Sequence, residues 1–132
     1  MLFRITRKTN FADMFINLSN HPSAKWPAAQ LEDASKYGEV VDLPFPMIDP
    51  KGDVDYIEKL ADEYVEKILA LSLNEPPTVH VMGELNFTYA VVKRLLEKNI
   101  LALASTTQRD VVETEDGQKT SRFTYVRFRR YK

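Results

Sequence analysis

The spacing of apolar positions changes repeatedly along the chain, and each change marks an element. MFINLS (14–19) is a short apolar run with polar ends and predicts a strand. NHPSAKWP (20–27) reads as a loop punctuated by Pro22 and Pro27, and Pro27 suits the first turn of a helix. That helix runs through AAQLEDASKY, with Ala28, Leu31, Ala34 and Tyr37 roughly on one face and Gly38 as its left-handed cap. EVVDLPF (39–45) predicts a second strand, ended by Pro44 and Pro46. Asp53 is a good N-cap for the longest helix, 54 to about 73. Its apolar face is Val54, Ile57, Leu60, Ala61, Tyr64, Ile68 and Leu71, at spacings of three and four. Asn74-Glu75-Pro76-Pro77 breaks it. TVHVMG (78–83) is a β-branched third strand, and Glu84 to Lys98 a helix with Phe87, Val91, Val92 and Leu95 as core candidates. ILALAST (100–106) is a nearly continuous apolar run, as expected of a strand covered on both faces. DVVET (110–114) and KTSRFTYVRFRRY (119–131) flank Asp116-Gly117 and predict an antiparallel hairpin.

The order β-α-β-α-β-α-β plus hairpin implies an α/β protein with right-handed crossovers. The expected architecture is a Rossmann-like three-layer sandwich, with a mainly parallel sheet and a C-terminal β-hairpin. Residues 14–132 form one domain in this reading. The basic, unpatterned stretch 1–13 is either an N-terminal extension or contains an edge strand over Leu2 to Thr6.

Composition narrows the chemistry. The 132 residues, 44% apolar and 28% charged, are those of an ordinary globular domain able to bury a core without staples. There is no cysteine, which excludes disulfides, thiolate metal sites and cysteine nucleophiles, and two histidines are too few for a histidine-rich metal site. No run of 18 apolar residues offers a membrane span, and no signal-peptide pattern opens the chain, so a cytoplasmic protein is expected. A formal charge of −1 gives no global pull toward nucleic acid or anionic membrane, so any anion must be held by a local patch.

Ligands of open α/β sheets sit beyond the carboxyl ends of the strands. Here those ends carry Ser19, Asn20, His21, Ser23, Lys25 and Trp26 after strand one, and Gly83 and Glu84 after strand three. After strand four come Ser105, Thr106, Thr107 and Arg109. Donors exceed acceptors in this set, which suits a phosphate or a nucleotide. Individually most of these residues also suit plain loops and caps. Glu84 matches a helix dipole, and Gly83 a tight turn that also lets a ligand approach the backbone. Three consecutive hydroxyls after an apolar strand are the most telling feature. Walker A, GxGxxG and GxSxG motifs are absent. Asp42, Asp49 and Glu84 offer a weak alternative as magnesium ligands of a small nucleotide hydrolase. In the hairpin, Arg122, Arg127, Arg129, Arg130 and Lys132 interleave with Phe123, Tyr125, Phe128 and Tyr131. That pattern suits either phosphates and stacked bases or a charge-protected edge.

FINLSNHPSAKW, EVVDLPFP, VHVMGELNFTYAVVKRL, ASTTQRDV and FTYVRFRRY together resemble, over roughly residues 14–131, small CRISPR-associated proteins of type III systems. These are built on a CARF-type domain, the Rossmann-like fold that senses cyclic oligoadenylates. The resemblance extends to the ring nucleases of this group, which are dimeric, independent of metals or other cofactors, and cleave the messenger to linear products. It implies a cyclic oligoadenylate, cyclic tetraadenylate first, as the ligand of a homodimer, with neither DNA nor membrane as partner. Attack by the ribose 2′-hydroxyl would need alignment and donors aimed at the phosphoryl oxygens. His21, Lys25 and Thr106 are then the catalytic candidates, with Ser19, Asn20, Ser23, Gly83, Glu84, Ser105, Thr107 and Arg109 binding the ligand. The alternative within the same resemblance is a sensor or sponge that binds without cutting.

Overall fold

The computed structural model describes residues 13–73 and 75–132. The extension or edge strand expected before Met14 lies outside them, Asp13 apart. The chain forms β1 (Met14–Ser19), a 3-10 turn (Ser23–Lys25), α1 (Ala28–Ser35), β2 (Glu39–Asp42), α2 (Val54–Leu71) and β3 (Thr78–Met82). It continues with α3 (Leu85–Glu97), β4 (Leu101–Glu113) and β5 (Lys119–Arg130). One five-stranded sheet has the order β2-β1-β3-β4-β5, parallel throughout except for the antiparallel last pair. Each parallel neighbour requires a crossover, and the three helices supply them.

Local chemistry sets the element ends. The Asp53 side chain accepts from the Tyr56 amide and opens α2, and the Glu84 carboxylate does the same for α3 through the Phe87 amide. Pro27 stands one place before the first helical residue of α1, its carbonyl accepting from Gln30 and Leu31. Gly38 follows that helix at a φ of 146°. A Cβ there would lie 2.6 Å from the backbone of Asp13 and Met14, so the return into β2 needs glycine. β2 is shorter than the pattern predicts and stops at Asp42, because Pro44 and Pro46 have no amide hydrogen to extend a ladder.

The larger departure is in the tail. The fourth apolar run and the first arm of the hairpin are a single 13-residue strand, with no loop after residue 106. Only its beginning pairs with β3, over Leu101–Leu103. The remainder pairs with β5 alone and projects as a two-stranded arm. The apolar-to-polar change near Ser105 marks the loss of a neighbouring strand and of covering helices rather than the end of the strand.

Strand alternation divides the core between the two faces of the sheet. Ile16, Leu18, Val79, Val81 and Ala102 meet α2 and α3 through Ala61, Val65, Ile68, Phe87, Val91 and Leu95. Val65 belongs to this contact although the sequence pattern omits it, while Val54 is left 73% exposed. Arg94 of α3 bridges to α2 through Asp62 at 2.7 Å and Glu58 at 2.9 Å. The other face carries Phe15, Leu103 and Phe128 against Trp26 and Ala34, with only the eight-residue α1 to cover it. Among the described residues, no helix is long and apolar enough to cross a membrane.

Phe87 is fully buried, with Phe45 and Tyr64 meeting its ring edge-on at 5.2 and 5.5 Å. Phe87→Ala leaves a cavity under both rings, and urea denaturation is expected to show a loss of about 3–5 kcal/mol.

Candidate active site

The strand order reverses between β1 and β3, and such a reversal opens a crevice at the carboxyl ends of the strands. On the α1 face this crevice is a cavity of about 680 Å³. Asn20, His21 and Lys25 enter from the first loop, Gln30 from α1, and Met82 and Gly83 from the end of β3. Ser105 and Thr107 of β4 form one wall, and Phe123 and Tyr125 of β5 another. A second cleft, of about 630 Å³, lies between α2 and α3, but its Glu58, Asp62 and Arg94 already pair with one another.

The floor is polar because the sheet register lines up three side chains on adjacent strands. Asp42 stands opposite Asn17, and Asn17 opposite His80. The Asn17 amide donates to the Asp42 carboxylate at 3.0 Å and to the His21 carbonyl at 2.9 Å, which uses both its hydrogens. Its oxygen is therefore an acceptor, taking the Ser19 hydroxyl at 2.8 Å and His80 Nδ1 at 2.9 Å. This fixes the proton of neutral His80 on Nδ1. Nε2 is left to accept from the Ser105 hydroxyl, 3.1 Å away. Met82 Sδ lies 3.1 Å from the same hydroxyl but is the weaker acceptor. The result is a chain Asp42–Asn17–His80–Ser105, whose last residue lines the cavity, its hydroxyl oxygen accepting no hydrogen bond among the described residues.

His80 is 2% exposed, stacked beside Phe15 and edge-on to Trp26. Burial pushes its pKa from 6.5 down to about 4, and His21 adds a smaller push in the same direction. The imidazole is thus a neutral acceptor at working pH.

The residues expected at the site distribute as follows. Asn20, His21, Lys25, Gly83, Ser105 and Thr107 line the one cavity. Lys25 is exposed and makes no ion pair among the described residues. Gly83 has a second duty, since a Cβ there would stand 2.2 Å from the Phe45 ring. Thr106 lies between two lining residues, and its hydroxyl donates to the Arg127 carbonyl. Ser19 and Ser23 do not line the cavity. Ser19 serves Asn17, while the Ser23 amide and hydroxyl both donate to Asp42. Glu84 caps α3, and Arg109 donates to Ser121 along the arm. Asp42, Asp49 and Glu84 are engaged separately, in the Asn17 contact, the Lys51 turn and the α3 cap. Among the described residues, no three His, Asp or Glu side chains come together as metal ligands would.

Sequence reasoning missed Asn17, His80 and Gln30. The signal for the first two was present: a polar residue inside each of two otherwise apolar strands, MFINLS and TVHVM, at positions that parallel pairing brings together.

Because the unfolded chain takes up a proton at His80 near pH 6.5 and the folded chain only near 4, this group's contribution is complete above pH 6.5. It is lost as pH falls toward 4, by about 3 kcal/mol. Urea midpoints of the wild type should therefore fall more steeply between pH 7 and 4.5 than those of His80→Gln. An NMR titration showing His80 protonated at pH 6 in the folded protein would contradict the assignment.

No curated protein and no solved structure matches the chain. One family model does, over residues 13–129, which is nearly the whole sheet with its three helices. The chain belongs to the family described as Uncharacterized protein MJ1673.

Proposed function

We propose that the cavity binds a cyclic oligoadenylate, cyclic tetraadenylate first, and cleaves it by attack of a ribose 2′-hydroxyl on the adjacent phosphorus. Cleavage ends a type III CRISPR antiviral signal. The observation that carries the reading is the Ser105–His80–Asn17 chain ending in a cavity beside Lys25 and His21. The resemblance in the sequence supplies the ring-shaped messenger and a CARF-type domain over residues 14–132. The strand order and the helices on both faces support a Rossmann-like sandwich for that domain.

In this reading Ser105 Oγ, its own proton directed at His80, accepts a hydrogen bond from the 2′-hydroxyl. The 2′ oxygen attacks phosphorus as its proton passes to Ser105 Oγ and the serine proton to His80 Nε2. The bond from phosphorus to the 5′ oxygen breaks, and that oxygen takes a proton from His21. His80 then releases its proton to solvent and His21 regains one. A bound phosphate raises the affinity of the nearby imidazole for a proton, so a weak base in the empty cavity becomes a stronger one under the substrate. Lys25 and the Thr107 hydroxyl stabilise charge on the phosphoryl oxygens. The nucleophile is internal to the substrate, so the step requires no metal-bound water. A volume of about 680 Å³ suits part of a four-nucleotide ring, and two copies about a two-fold axis match the symmetry of the whole.

Labelled cyclic tetraadenylate incubated with the protein in EDTA should yield linear products ending in a 2′,3′-cyclic phosphate. Ser105→Ala, His80→Gln and Lys25→Ala should each slow the cleavage by about 10²-fold. Tight binding by calorimetry with the ligand recovered intact would replace the enzyme by a sponge. Neither binding nor product at excess protein would remove the reading altogether.

A further inference from the structure

Gln30 is 7% exposed, lines the cavity and makes no side-chain hydrogen bond among the described residues. The carboxamide offers two donors and an acceptor, and its atoms are not sealed from the cavity: among the described residues, the fully enclosed side-chain atom without a hydrogen-bond partner is Thr88 Oγ1. Nothing in the fold accounts for a glutamine at this place. Its neighbours on α1, Ala29 and Leu31, are exposed to solvent, whereas Gln30 is turned inward to the cavity. Around the carboxamide the walls are aromatic. Trp26 is pinned by its indole N–H to the His21 carbonyl at 3.0 Å, and Tyr125 by its hydroxyl to Asp33 of α1 at 2.6 Å. Phe123 stands 65% exposed at the mouth. The Tyr125–Asp33 bond also holds α1 against β5, so the free amide and the ring platform keep a fixed separation.

We infer that Gln30 is the base-reading residue of the cavity, pairing with the 6-amino group and N7 of an adenine stacked against the Phe123 and Tyr125 rings. A carboxamide presents one acceptor beside one donor, and that edge of adenine presents one donor beside one acceptor. Hypoxanthine and guanine present two acceptors there, so one bond is lost and two oxygens are opposed. Aromatic rings add stacking for any base, and the discrimination therefore resides in the amide. The inference rests on the nucleotide reading above for the ligand class, but it makes a claim that cleavage does not test.

Calorimetry with cyclic tetraadenylate, its inosine counterpart and its 7-deaza-adenine counterpart separates the two. Wild type is expected to bind the adenine ring at least ~5-fold more tightly than either analogue. Gln30→Leu should fold with a nearly unchanged Tm, because the carboxamide makes no hydrogen bond among the described residues, and should reduce the preference to less than ~2-fold. Gln30→Glu, which keeps the size but lacks the donor, should lose the dependence on N7. An unchanged preference for adenine in Gln30→Leu overturns the inference while leaving binding and cleavage intact. Adenine preference governed by Gln30 in a protein that never cuts the ring overturns the cleavage reading and leaves the inference standing. Equal binding of all three rings by wild type overturns the inference whatever the variants do.

Discussion

A hydrogen-bonded row across four strands governs the rest of this structure: Asp42 on β2, Asn17 on β1, His80 on β3 and Ser105 on β4. Each inner member is buried and polar, and each is tolerable only because its neighbours satisfy it. A shift of one residue in any parallel pairing would put an apolar side chain opposite a polar one and break the row. The requirement thus reaches beyond the site. It pins the relative register of four strands, and with it the position of every loop that leaves them.

The two faces of the sheet divide the work accordingly. On one, α2 and α3 cover an unbroken apolar surface centred on Phe87 and Val91, and stability is concentrated there. On the other, α1 spans only eight residues and leaves the polar row roofed by Trp26 and Gln30. The cavity opens beside the N-terminal end of α1, between the first loop and the β4–β5 arm. Burial without full coverage gives His80 a dry environment that strips its charge, while Ser105 still opens onto the cavity.

Much of this was legible in the residues alone. The helices and the first three strands follow from apolar spacing and from caps such as Asp53, and the loop after β1 was correctly placed at a strand end. The hydroxyl run after the fourth apolar stretch was read as a loop, because loss of apolar character usually signals the end of an element. Here the strand continues into solvent with only β5 beside it, so composition changed while conformation did not. The polar row was missed for a related reason. Asn17 and His80 are 63 positions apart, and nothing local says that their strands are neighbours in register. Gln30, a glutamine in the first turn of a short helix, looks like surface until the sheet beneath it is known.

Between Thr106 and Thr107 the pairing of the last two strands slips, so that Arg127 and Tyr125 face them across one unpaired residue, Val126. Two-residue alternation would have turned Tyr125 and Phe123 to the far side from Phe128. The extra residue returns them to the same side, above the cavity. The arm therefore carries parity as well as length: deleting Val126 would remove the bulge and leave both rings above the recess, whereas one residue inserted between Thr106 and Thr107 would give Val126 a partner and turn Tyr125 and Phe123 away.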